Sequence, residues 1–114
     1  MSSPPLKLLF GVHAHQPFGN FPWVVDPAGD RCDRPPLETL WPYPEFRFAL
    51  HLSGWLLGDL CERHPDVVGL IAGMVGTGQL ELFGAGDCEP VLASIPERDR
   101  IAQLEAMNAR LERS

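Results

Sequence analysis

Cysteine is scarce in this chain: Cys32, Cys61 and Cys88 are odd in number, widely spaced and without a Cys-x-x-Cys pair. That argues against both a disulfide framework and a structural zinc site, and leaves the three as reduced thiols in packing roles. Basic residues are also few. Nine Lys and Arg stand against 15 Asp and Glu, a net charge of -6 over 114 residues, with no Lys/Arg cluster. The electrostatic footprint of a nucleic-acid or anionic-membrane binder is therefore missing, and a neutral or polar small substrate fits better. No stretch approaches about 18 consecutive apolar residues, and the apolar run after Lys7 is too short and too strand-like for a signal peptide. These absences predict a soluble, cytoplasmic protein. What is present, 45% hydrophobic and 9% aromatic residues, suffices for one small core and excludes a disordered composition, so one domain or a piece of one is expected.

Three strands are predicted, separated by helices. An apolar run over Leu6–Val12 stops abruptly at His13-Ala14-His15-Gln16-Pro17, as a buried strand leaving a sheet does. A Gly/Pro-rich connection from Gln16 to Ala28 reads as a loop, and Asp33 as the cap of a short helix with Pro35 and Pro36 in its first turn. Phe46–Ser53 alternates cleanly, with Phe46, Phe48, Leu50 and Leu52 on one face and Arg47, Ala49, His51 and Ser53 on the other. Leu56, Leu57, Leu60 and Cys61, then Val67, Leu70, Ile71 and Met74, recur at helical spacing, and Gly76 and Gly78 close the second of these helices. Gln79–Phe83 makes the third strand, with Glu81 opposite Leu80 and Leu82. A final helix runs to Ser114, opened by a Ser94/Glu97 capping box and striped with Ile101, Leu104 and Leu111.

Strand and helix in this alternation define an α/β chain with parallel strands and covering helices. In such folds function gathers at the carboxyl ends of the strands. Three successive strand ends carry His13/His15, His51/Ser53 and Glu81 through Glu89. Side chains two apart on a strand point the same way, so His13 and His15 face one ligand region about 7 Å apart along the chain. Any one of these residues is as often structural as functional; three strand ends together favour a site.

Leu9-Phe10-Gly11-Val12-His13-Ala14-His15-Gln16-Pro17, Gly19-Asn20-Phe21 with Trp23, Arg34-Pro35, Leu50-His51-Leu52-Ser53-Gly54, Gly78-Gln79-Leu80-Glu81 and Glu89-Pro90-Val91-Leu92-Ala93-Ser94-Ile95-Pro96 stand in one order. In that order and spacing they closely resemble glycoside hydrolase family 57, most strongly its 4-α-glucanotransferase and α-amylase-like members. The resemblance covers nearly the whole chain. It implies the first three βα units of an incomplete (β/α)7 barrel, acting on α-glucans by a retaining mechanism, with residues 1–114 an N-terminal fragment of the catalytic barrel. Asp33, Pro36 and Asp87 depart from the family pattern, Asp87 standing where an aromatic residue usually precedes the Glu-Pro pair.

The resemblance implies that His15 and Glu81 contact the sugar beside the scissile bond, with His13 and Trp23 in the same pocket wall; His51 and Glu89 would support them, Glu89 by holding those side chains from behind or by fixing its loop. Imidazoles and carboxylates hydrogen-bond sugar hydroxyls, and an indole offers an apolar face to a pyranose ring. A retaining mechanism needs two carboxyl groups about 5 to 5.5 Å apart. The resemblance places both beyond Ser114, so no catalytic residue is assigned in this chain and the chain alone is expected to be inactive. The implied partner is an α-glucan or maltooligosaccharide, with no nucleic acid, no membrane and no cofactor or metal; the oligomeric state stays open. Two alternatives remain: a metal-dependent hydrolase of amidohydrolase type using the His-x-His pair, and a non-catalytic glucan-binding remnant.

Overall fold

A computed structural model describes residues 1–114. Its elements are β1 (Gly11–Ala14), α1 (Pro22–Ala28), a π-helical turn (Gly29–Asp33), α2 (Arg34–Leu40), β2 (Phe48–Leu52), α3 (Gly54–Arg63), α4 (Pro65–Gly76), β3 (Leu80–Phe83), a short 3-10 turn (Leu92–Ser94) and α5 (Glu97–Arg113). The three strands form one parallel sheet in the order β1-β2-β3. The expected α/β class, with helices covering a parallel sheet, is what the chain adopts.

Alternation along β2 divides the sheet into two faces. Phe48, Leu50 and Leu52 are 6%, 5% and 2% exposed, while Ala49 and His51 between them are half-buried. The buried face packs on α3 and α4 through Leu56, Leu57, Leu60, Val67, Ile71 and Met74. The opposite face carries His13, Ala49, His51, Glu81 and Phe83 and has no helix over it. Ser53 caps α3: its backbone is extended and its side-chain Oγ accepts the Leu56 N–H at 3.2 Å, the usual N-cap arrangement. Pro65 opens α4 where its missing N–H costs nothing. Gly78, at φ 75°, makes the left-handed step into β3 that an L side chain would resist.

Several expected boundaries move. β1 begins at Gly11 rather than Leu6, because β2 is its only partner; the Ala49 N–H takes the Phe10 carbonyl at 2.9 Å, and upstream Leu6 and Leu9 are exposed. Part of the segment expected as a loop is α1, with Pro22 in its first turn. The helical path continues from α1 through the π-helical turn into α2, so Asp33 lies inside it with αR angles and caps nothing. The Ser94/Glu97 capping box does not form either. Ser94 belongs to the 3-10 turn and α5 starts after Pro96, putting Glu97 at the first helical position instead of the third. Along α5 the buried residue is Met107, and Ile101 and Leu104 face outward.

Candidate functional site

The parallel register places His13 opposite His51 and His51 opposite Phe83, one row across the sheet. Adjacent strands lie about 4.8 Å apart. The His13 and His51 rings accordingly stack at 5.0 Å between centroids with 9° between planes. Two residues on, His15 stacks against the other side of His13 at 5.8 Å and 14°. Three imidazoles thus form one file at the carboxyl ends of β1 and β2.

Glu89 closes the file from the loop after β3. His15 Nδ1 lies 2.7 Å from Glu89 Oε2, His51 Nε2 2.8 Å from Oε1, and His13 Nε2 3.7 Å from Oε1. His51 is also fixed from behind, with Nδ1 2.9 Å from the Phe83 carbonyl. Both of its nitrogens therefore face oxygen acceptors, and both contacts are satisfied only when both nitrogens carry hydrogen. Burial alone pushes the Glu89 carboxyl up, but the hydrogen bonds from His51 and His15, with the neighbouring His13 and His15 charges, outweigh it and hold the group below the ordinary carboxylate range. His13 and His15 keep about half of their side-chain surface exposed, so the file has a side open to a ligand. Such an array presents fixed donors and a fixed carboxylate to a polyhydroxylated molecule.

The candidate residues divide in this geometry. His13, His15, His51 and Glu89 come together; of the two supporting roles open to Glu89, its contacts are with the histidine side chains. Asp87 anchors the loop. Its backbone carbonyl accepts the Gly54 N–H, and its carboxylate receives Arg110 Nε at 2.5 Å and a terminal guanidinium nitrogen at 3.2 Å. Burying an acid 23 residues from its partner leaves no periodic trace in sequence, so this pair was not legible there. Glu81 is on the same sheet face but opposite Ala49, one step of two residues short of the His13–His51 row, and makes none of the cluster's hydrogen bonds. Trp23 lies in α1, 71% exposed, with its ring on Phe21 at 4.5 Å. Donor atoms of His13, His15 and Glu89 fall within 4.8 Å of one another, close enough to converge on a cation, although both Glu89 oxygens already receive histidine hydrogen bonds.

A parallel α/β sheet with a polar cluster at the carboxyl ends of its strands is the arrangement found in one part of an α/β enzyme fold, where sites gather at those strand ends. Residues 9–113 match the model of glycosyl hydrolase family 57, and the chain belongs to that family. It is 46% identical to the α-amylase of Pyrococcus furiosus and 47% identical to the 4-α-glucanotransferase of Thermococcus kodakarensis, each over 102 residues that make up 90% of this chain and 16% of the relative. The crystal structure of the 4-α-glucanotransferase from Thermococcus litoralis superposes with a TM-score of 0.86 at 43% identity, covering 92% of this chain and 17% of that one, its N-terminal portion. The chain spans about one sixth of the length of these relatives.

Proposed function

We propose that the chain forms the first three βα units of a family 57 catalytic barrel and supplies one wall of its α-glucan site. The observation that carries this reading is the His51–His13–His15 file closed by Glu89 at the strand ends, in a chain whose relatives are named α-amylase and 4-α-glucanotransferase. In this reading His15 and Glu89 hold sugar hydroxyls, His13 and Glu81 line the wall, and Trp23 offers a ring face at its margin. The nucleophile and the acid/base of a retaining reaction belong to other parts of the enzyme. Glu81 lies on β3 opposite Ala49 while Glu89 lies in the loop beyond it, engaged by two imidazoles, which suits Glu89 to binding better than to attack on an anomeric carbon. A cytoplasmic location accompanies the reading, supported by three free cysteines.

Calorimetric titration of the chain with maltotetraose, alongside a maltooligosaccharide turnover assay, tests it. Saturable binding without turnover is expected, with affinity reduced about tenfold, or 1.4 kcal/mol, in His15→Ala. Turnover by the chain alone would place the reacting carboxylates within it. Stoichiometric zinc in the purified protein together with no glucan binding would favour the metal-dependent hydrolase, which the family match does not support.

A further inference from the structure

We infer that Arg110 is a positioning residue for Glu89: its ion pair with Asp87 clamps the loop between β3 and α5 so that the Glu89 carboxylate faces the three histidines. The functional meaning of this clamp rests on the glucan-site reading above, but its geometry does not.

Glu89 stands in an unfavourable place. It is the one non-glycine residue with a left-handed backbone, at φ 52°, in a loop that belongs to no helix or strand. An L residue held there costs about 1 kcal/mol or more, so its surroundings must impose the conformation. The Glu89 N–H closing a turn onto the Gly86 carbonyl at 3.0 Å is local and ties the loop only to itself. The restraints from outside the loop come from two sides. From the start of α3, the Gly54 N–H donates to the Asp87 carbonyl at 2.9 Å. From α5, the Gln103 carbonyl accepts the Asp87 N–H at 3.1 Å, and Gln103 Oε1 accepts the Cys88 N–H at 2.8 Å.

The Arg110–Asp87 pair locks this arrangement. Both carboxylate oxygens are taken by the guanidinium, the two-point geometry that fixes orientation as well as distance. The Asp87 side chain is only 10% exposed and Arg110 37%, so the pair is shielded from solvent on the loop side. The local sequence is built around it. A Cβ on Gly54 would overlap Asp87 Oδ1, and one on Gly86 would come within 2.6 Å of Pro90 Cδ. Asp87 itself touches no histidine. It acts two residues away, through the backbone, and α5 is thereby tied to a site that none of its side chains reaches.

The test reads the Glu89 carboxyl directly, by carbon-13 NMR titration of the chain, with circular dichroism and thermal melting to report the fold. In the parent chain Glu89 titrates below the ordinary carboxylate range. In Arg110→Gln and in Asp87→Asn its titration is expected to move up toward that range while Asp66, paired elsewhere, stays put. Arg110→Lys, which keeps the charge but not the two-point contact, should restore part of the difference. Maltotetraose affinity should fall about tenfold in Arg110→Gln. Should the single variants unfold by stranding a charge, the double variant Asp87→Asn/Arg110→Gln removes both charges and decides the matter. A folded Arg110→Gln or double variant in which Glu89 titrates as in the parent overturns the clamp. If the parent chain binds no maltotetraose, the glucan reading fails, and the Glu89 titration still decides the positioning.

Discussion

Two carboxyl groups of this chain, Glu89 and Asp33, are shifted in opposite directions, and the contrast shows what a partner is worth. Glu89 is largely enclosed but held below its ordinary value of 4.5 by imidazoles. A depressed folded value means that its contribution to stability is fully present above the unfolded value and is lost as pH falls through the folded one. Glu89→Gln is thus expected to destabilise the chain by about 1 kcal/mol at pH 7, a difference that closes in thermal melts taken in acid below the Glu89 titration. Asp33 has no such partner. Its Oδ2 is buried without a hydrogen bond at the edge of an apolar cavity of about 50 Å³ lined by Val12, Leu37, Leu50 and Ile71, and burial pushes its carboxyl up, opposed only by the His64 charge. The sign reverses: Asp33 costs stability once pH rises above its unfolded value of 3.8, and the cost is complete above the folded value. Asp33→Leu should stabilise the chain by about 1 kcal/mol at pH 7, with the gain in melting temperature shrinking as the pH falls toward 3.8; an equal gain at both ends would show that cavity filling alone is responsible. The histidines were legible in sequence because strand alternation and the end of an apolar run place them. Asp33 read as a helix cap, and Glu89 as a supporting carboxylate whose partners stayed open, because local rules cannot see a cavity or a ring arriving from another strand.

At the scale of elements, legibility followed the strength of the period. β2, α3 and α4 were readable because Phe48, Leu50 and Leu52 repeat every second residue and Leu56, Leu57 and Leu60 repeat as a helix face, each buried against the other. α1 was not, because Pro22, Pro27 and Gly29 are turn formers, yet Pro22 sits at the tolerant first turn and the chain runs on into a π-helical turn. Capping rules misled at Ser94, where the helix starts two residues later, and passed over Ser53, which carries no Glu or Gln three positions on and reads as the last residue of a strand. Ser53 is 4% exposed and its oxygen accepts the Leu56 N–H. Ser53→Ala is expected to lose about 1 kcal/mol, measured as a lower urea midpoint with unchanged slope. The same change at Ser94, whose side chain caps no helix, should leave the midpoint within about 0.5 kcal/mol of the parent.

The whole molecule is drawn out. Its radius of gyration is 15.9 Å and its extents are 53 × 34 × 23 Å, where a compact chain of this length would have a radius near 13 Å. The order of strands and helices made the parallel sheet predictable, since right-handed crossovers leave few topologies for that order. The register that leaves Glu81 opposite Ala49, short of the His13–His51 row, was not predictable, nor was the loop path that brings Glu89 to the histidines, because neither leaves a local pattern in sequence. Only β2 has partners on both sides. Beyond β1, Leu8 and Leu9 are 76% and 97% exposed, and with Phe10 and the 52% exposed Phe83 they border one open groove on the uncovered side of the sheet. Contiguous apolar surface beside unpaired strand edges drives association in water. Sedimentation velocity of the chain should therefore show an average mass that climbs between micromolar and near-millimolar concentration. In Leu8→Lys/Leu9→Lys the climb should be suppressed without loss of helical signal, because neither residue belongs to a strand or to the core. A parent chain that stays monomeric across that range, or a double-lysine variant that associates as strongly as the parent, would mean that these exposed leucines are not what holds copies together.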